Sequence, residues 1–407
     1  MKLRTAYEVL SAVIRGGAYS NLALNEIPDE SERAYVTRTV YGVLEHCFEL
    51  DAILSALSDK RPKPEIRVLL MLGLYCLRYS DMPDYAAVNE TVELCKSLPF
   101  AQASGFVNSV MNRAARREYK LSEKGKKAEE IRCNLPYSLI ELIKKQYPRA
   151  YRRILVSVPR EEEHVRLAAG VPESVLQGAY CEKTITGYYV KNNSVIKNLY
   201  EEGKLTYQGF TSTLAVLALG EVAGKTVLDL CAAPGGKSVF LAERGAKVTG
   251  CDIFPQRVAL IESYAKRMNV RINTVINDGT SARPEWHHRF DAVLIDAPCS
   301  GLGALSRRKD IVLNRSAGDI ATLSALQKKL IEAGADAVAP GGTLVYSTCT
   351  ILKEENGEVV FDFMSRHPDF VLEEMPLPYK NKGELQFLPD EKGTEGFYIA
   401  RLRRKKD

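Results

Sequence analysis

Two cysteines end apolar runs about fifty residues apart. "DAPCSGLG" occupies residues 296–303 behind "AVLI", and "STCT" occupies 347–350 behind "GTLV" and Tyr346. A thiolate is a nucleophile, whereas a structural cysteine is a small inert hydrophobe. Matched placement at two strand ends favours chemistry for both. Acids accompany them. Asp296 opens the first motif, Asp252 follows "KVTGC", and Asp278 follows "RINTVI". A carboxylate after the second strand of a βαβ unit can accept both hydroxyls of a ribose. Either acid alone could be a cap or turn residue. Together, at successive strand ends, they favour a nucleoside site. The loop Cys231-Ala232-Ala233-Pro234-Gly235-Gly236-Lys237, behind "TVLDL", lets backbone approach a ligand and opens a helix with free N–H groups. It satisfies neither the G-x-x-x-x-G-K-[ST] nor the G-x-G-x-x-G pattern.

These groups need a scaffold. From about residue 222, the apolar runs "KTVLDL", "AKVTGC", "RINTVI", "FDAVLIDA" and "GGTLVYS" read as buried parallel strands. They alternate with helical stretches such as "FPQRVALIESYAKRMN" and "DIATLSALQKKLIEAGADAV". That alternation predicts a doubly wound α/β sheet with ligands at the carboxyl ends of its strands. Residues 1–118 carry apolar positions at helical spacing, with Pro62, Pro64, Pro83 and Pro99 between the segments, predicting an all-α domain of five to seven helices. Residues 119–215 read as a linker, or an exposed helix, followed by a small α+β segment. There "PYSLIELIKKQY" is helical, and "EHVRLAAGV", "TITGYYV" and "KLTYQGF" are short strands. The third domain is 216–407.

Composition sets bounds. At 407 residues, with 45% hydrophobic and 26% charged, the chain is ordinary globular material for two or three domains. No signal-peptide pattern or 18-residue apolar run is present, so a cytoplasmic protein without a membrane span is expected. The nine cysteines form no C-x-x-C pair, which argues against a disulfide framework and against zinc; no metal is expected. A net charge of +5 is mild, and residues 1–120 balance 15 basic against 15 acidic side chains. RNA affinity must then come from patches such as "NRAARREYK", "KGKK" and "RLRRKKD", although each taken alone reads more readily as a solvated helix end or tail.

"VLDLCAAPGGKS", "DAPCSG", "LVYSTCT" and "EENGEVV", in this order, resemble the motifs of S-adenosylmethionine-dependent RNA cytosine-5 methyltransferases of the NOL1/NOP2/Sun family. The helical N-terminus resembles the NusB-like RNA-binding domain fused to the branch acting on bacterial 16S ribosomal RNA. The resemblance covers nearly the whole chain. It implies a Rossmann-like methyltransferase domain, S-adenosyl-L-methionine as cofactor, and ribosomal RNA as partner before full 30S assembly, with a monomeric enzyme expected. It assigns Cys349 as nucleophile, Cys299 to product release and Asp296 to the base. Cys231, Ala232, Ala233, Pro234, Gly235, Gly236, Lys237, Asp252, Arg257, Asp278 and Asp296 fall to the cofactor, with Lys237 near the methionine carboxylate or the base. Arg307 and Arg308 are candidates for a phosphate. The residues alone leave open which thiol does which.

Some stretches depart from the family pattern. "RRKDIVLN" lacks the usual proline, and "YQGFTS" and "HVRLAAG" replace "Q-D-x-A-S" and "R-V-N". These bear on RNA placement rather than on the reaction. An amino-methylating enzyme would carry an aromatic where "DAPC" has its thiol. A DNA cytosine enzyme would lack the second thiol. A non-catalytic RNA-binding factor would not need the set of acids and thiols.

Overall fold

A computed structural model describes residues 2–18, 20–313, 315–390 and 393–406. The chain divides into two compact units, residues 1–151 with 308–316, and residues 152–307 with 317–407.

The first unit is helical. Its helices are α1 (Lys2–Gly16), α2 (Ser20–Asn25), α3 (Glu30–Glu45), α4 (Cys47–Leu57), α5 (Pro64–Tyr79), α6 (Asp84–Lys96) and α7 (Ser104–Ala115), then α8 (Gly125–Cys133) and α9 (Tyr137–Gln146); the short α10 (Tyr151–Leu155) begins as the unit ends. Proline at the first turn of α5 supplies the fixed φ that a helix start needs. From Val68 to Leu77 every residue of α5 is buried, so it is the central helix of the bundle and not a one-faced surface helix. The carboxylate of Asp29 caps α3 by accepting the backbone N–H of Glu32 at 2.6 Å. Helical structure runs on through α8 and α9, past the boundary expected at residue 118, because Ala128, Leu139, Ile140 and Ile143 bury apolar faces of their own.

The second unit opens with an antiparallel sheet. It contains β1 (Glu163–Leu167), β2 (Tyr180–Lys183), β3 (Tyr188–Val190) and β4 (Leu205–Tyr207) in the order β2-β3-β1-β4, with α11 (Ser194–Glu201) packed on it. The second of these strands was not expected from the sequence. Its side chains are all exposed, so no apolar alternation marks it.

After α12 (Phe210–Ala218) comes the large sheet. Its first five strands are β5 (Thr226–Asp229), β6 (Lys247–Asp252), β7 (Asn273–Ile276), β8 (Phe290–Asp296) and β9 (Val338–Thr348). Between them run α13 (Gly236–Glu243), α14 (Pro255–Arg267) and α15 (Ala317–Ala337). α16 (Gly357–Arg366) precedes β10 (Phe370–Leu372), β11 (Glu384–Phe387) and β12 (Phe397–Arg404). The order is β10-β12-β9-β8-β5-β6-β7, parallel from β9 to β7, with β10, β11 and β12 pairing antiparallel. Strand alternation splits the core in two. Leu228, Val293, Ile295, Leu344 and Tyr346 pack with α15 and α16, while Val227, Leu294, Val345 and Ile399 pack with α12 and Leu241 of α13. Strand order reverses at β5, which places the ligand crevice of such a sheet at the carboxyl ends of β5 and its neighbours.

The C-terminal basic run is a correction to the sequence reading. Arg401, Arg403 and Arg404 belong to β12 and pair with Glu373, Glu373 and Asp369 at 2.7, 3.0 and 3.3 Å, so this stretch is sheet where a tail was expected; Asp407 lies outside the described residues. In "NRAARREYK", Arg113 donates to the Leu57 carbonyl and pairs with Glu118, as does Arg116. No described helix is long and apolar enough to cross a membrane. No group of three or more described His, Cys, Asp or Glu side chains could hold a metal ion.

Candidate active site

The sheet delivers the expected residues to one edge. Asp252 ends β6 and Asp296 ends β8. The loop Cys231–Lys237 follows β5, Asp278 follows β7 and Cys349 follows β9. Register ties Asp296 to Ser347 across the parallel β8–β9 pair. The two thiols, fifty residues apart in sequence, therefore meet: Cys299 Sγ and Cys349 Sγ are 3.2 Å apart. The Gly303 N–H donates to the Cys349 carbonyl at 3.0 Å, and the Gly396 N–H donates to the Gly303 carbonyl at 2.8 Å. A Cβ on Gly303 would lie 2.1 Å from the Gly396 carbonyl oxygen, so only glycine allows this approach. The Cys299 thiol is held well above the ordinary thiol range. The hydrogen bond to Cys349 is the main cause, followed by burial and by the charge on Cys349 and then Glu355.

Asp296 accepts from two sides. Lys237 Nζ lies 2.6 Å from Oδ2, and the Ser347 hydroxyl donates to Oδ1 at 2.8 Å. The glycine loop and the Asp296 motif are thus joined by a partly buried ion pair. Gly235 has φ +116°, a conformation closed to L side chains, and its position lies against the Ile261 backbone.

Arg257 bridges the loop and the next strand end. It pairs with Asp252 Oδ2 at 3.2 Å and donates to the Ala233 carbonyl at 3.3 Å, while the Phe254 N–H donates to Asp252 Oδ1 at 3.3 Å. Asp278 is exposed and accepts from the N–H and hydroxyl of Thr280, which hold its acid below the usual range. It is a turn residue in geometry as well as a strand-end acid. Arg307, a phosphate candidate, is taken up by carboxylates, Glu163 at 2.8 Å and Glu395 at 3.0 Å.

Sequence reasoning missed Asp229, Gln327, Glu355 and Asn356 as site residues. Asp229 is fully buried and accepts from Ser238 Oγ at 2.6 Å, and its other oxygen has no protein partner. Burial pushes its carboxyl up to about 7, partly opposed by the Ser238 hydrogen bond and the charge of Lys237. The folded state therefore binds this proton more tightly than the unfolded chain. Its contribution to stability is complete below about 3.8 and is lost as pH rises through about 7. Asp229→Asn, which mimics the neutral acid, is expected to gain on the wild type between pH 5 and 8.5 by roughly 3 kcal/mol in unfolding free energy, about two pH units of unequal proton binding. Parallel pH–stability curves from denaturant unfolding would contradict this.

The carboxylates of Asp252, Asp278 and Asp296 stand at successive strand ends, the first and last paired with Arg257 and Lys237, and one oxygen of the buried Asp229 has no protein partner. Small residues and helix N–H groups line the loop between them. A glycine-loop sheet with acids at successive strand ends and a thiol pair beyond them defines a methyltransferase. The chain's C-terminal part matches the family described as 16S rRNA methyltransferase RsmB/F over residues 216–403, and its N-terminal part matches the NusB family over 2–116. It is 33% identical to the probable ribosomal RNA small subunit methyltransferase B of Bacillus subtilis, covering 98% of both chains. It is 30% identical to the ribosomal RNA small subunit methyltransferase B of Vibrio cholerae, covering 92% of this chain and 90% of that one. The crystal structure of a methyltransferase homolog protein from Pyrococcus horikoshii matches its fold with a TM-score of 0.58 at 23% identity, over 68% of this chain and 98% of that one. The chain belongs to the RsmB family of ribosomal RNA small subunit methyltransferases.

Proposed function

We propose that the chain methylates carbon 5 of one cytosine in 16S ribosomal RNA through a covalent adduct at carbon 6. The observation that carries this reading is the pair of thiols 3.2 Å apart beside the Lys237–Asp296 ion pair. S-adenosylmethionine is the methyl donor and supplies an electrophilic methyl group. Carbon 5 of cytosine is too poor a nucleophile to take that methyl directly. The Cys349 thiolate bonds to carbon 6, and the electron pair of the 5,6 double bond moves onto carbon 5, which can then attack. Asp296, held by Lys237 and Ser347, is assigned to the nitrogen 3 edge of the base, where its carboxylate accepts from the N3–H once that nitrogen takes up the proton shed by the attacking thiol. After transfer, a water molecule takes the proton on carbon 5, the C–H electron pair restores the 5,6 double bond, and the carbon–sulfur pair leaves on Cys349 as thiolate.

The two sulfurs are within hydrogen-bond reach and either can donate. In the proposed division of labour Cys299 donates S–H to the Cys349 sulfur, stabilising the thiolate as it attacks and again as it departs. The base must enter unstacked, which suits a single-stranded or flipped nucleotide in rRNA before full 30S assembly. The NusB-type helical unit is proposed to add RNA affinity, and the enzyme to act as a cytoplasmic monomer.

The residues that would hold the donor are Cys231–Lys237, Asp252, Arg257 and Asp278. Asp252→Ala is expected to weaken S-adenosylmethionine binding about ten- to a hundredfold, the loss of one or two charge-assisted hydrogen bonds to the ribose. Unchanged affinity by calorimetry in the folded variant would remove Asp252 from the ribose. The activity itself is tested by mapping 5-methylcytosine in ribosomal RNA and tRNA from cells with and without the gene. A single 16S cytosine that loses its mark supports the reading, and loss confined to tRNA overturns the substrate.

A further inference from the structure

We propose that Glu355 and Asn356 are positioning residues that set the register of the two thiols, Glu355 through the Cys299 loop and Asn356 through the Cys349 loop. Both side chains are buried, at 0% and 1% exposure, behind the site. The Glu355 carboxylate accepts the Ser300 N–H at 2.8 Å, the Ser300 hydroxyl at 2.5 Å and Gln327 Nε2 at 3.1 Å. The same Gln327 nitrogen donates to the Pro298 carbonyl at 2.9 Å. The residues on either side of Cys299 are therefore fixed from one buried anion. Asn356 brackets Cys349 in the same way: the Thr348 hydroxyl donates to its Oδ1 at 2.5 Å, and its Nδ2 donates to the Thr350 carbonyl at 3.1 Å and to Gln386 Oε1 at 2.8 Å. A Ser300–Thr350 hydroxyl contact of 2.8 Å couples the two loops, and the Tyr346 hydroxyl donates to the Glu355 carbonyl at 2.6 Å. A buried carboxylate costs folding free energy unless its oxygens are satisfied, and here the satisfying donors include both the backbone and the hydroxyl of the Cys299 loop. Two neighbouring residues thus convert the start of one helix into a gauge for a sulfur–sulfur distance. The charge of Glu355 also adds to what keeps the Cys299 thiol protonated.

The inference rests on the covalent reading for its catalytic consequence, but the register can be measured without RNA. Diamide, a diazene oxidant, takes two electrons and two protons from the thiol pair as the Cys299–Cys349 disulfide forms. Peptide mapping by mass spectrometry follows that disulfide in the full-length protein. Ser300→Ala and Thr348→Val, which leave the charge of Glu355 in place, are each expected to slow its formation roughly tenfold, the scale on which loss of a buried hydrogen bond acts; Thr348→Ser keeps the donor and should oxidise like the wild type. Wild-type rates in folded variants, or equal slowing in Thr348→Ser and Thr348→Val, overturn the proposal. With RNA substrate, Glu355→Gln should accumulate covalent complex and Thr348→Val should form it slowly, a split that general loosening would not produce. Altered disulfide rates with no cytosine-5 methylation by the wild type would sink the covalent reading and leave the positioning role standing.

Discussion

Cys349→Ala is expected to abolish methyl transfer and covalent RNA adduct together, lowering turnover by on the order of 10⁴-fold or more, as removal of a covalent nucleophile does. Cys299→Ala is expected to behave differently. Its attacking sulfur is intact, so carbon 6 is still captured and the methyl still transferred. The departing sulfur lacks its S–H donor 3.2 Å away, and the adduct should persist as a band shift that survives denaturation. Geometry makes the contrast sharp, because the thiols are close enough for one to serve the other and their loops are tied through Gly303. Adducts in the Cys349 variant alone would reverse the roles. Methylation retained in both variants, with no adduct in either, would defeat the covalent mechanism.

The parts of the fold that were legible from sequence are those whose environment is uniform. β5, β8 and β9 are largely buried between α15 and α12, so they read as continuous apolar runs. β12 was not legible as a strand because Arg401, Arg403 and Arg404 interrupt it, and each finds its carboxylate only once β10 folds beside it. The site divides the same way. Motif residues at strand ends announced themselves by type and position. Glu355 and Asn356 did not, because a Glu-Asn at a helix start looks like ordinary helix-cap composition; their partners Ser300, Gln327 and Thr350 are remote or unremarkable in sequence. The available signal was the family-like motif "EENGEVV", which begins at Glu354, five positions after Cys349.

Lys237 is where sequence and geometry part most usefully. It stands in the glycine loop, yet its ammonium is 2.6 Å from Asp296 and its side chain is only 12% exposed. The pair acts as one unit if Lys237 exists to orient and charge-balance the carboxylate facing the base. Asp296→Asn is then expected to lower kcat by about 10²- to 10⁴-fold, the range for a group that manages charge or protons in the transition state, with little change in S-adenosylmethionine affinity. Lys237→Met should cost nearly as much, because Asp296 would keep only the Ser347 hydroxyl and would bear an uncompensated charge. The double variant should be scarcely worse than the worse single, since the second substitution removes an interaction already lost. Losses that multiply in the double variant, together with weakened cofactor binding in Lys237→Met alone, would place the lysine on the methionine carboxylate instead and leave Asp296 to act on the base unaided.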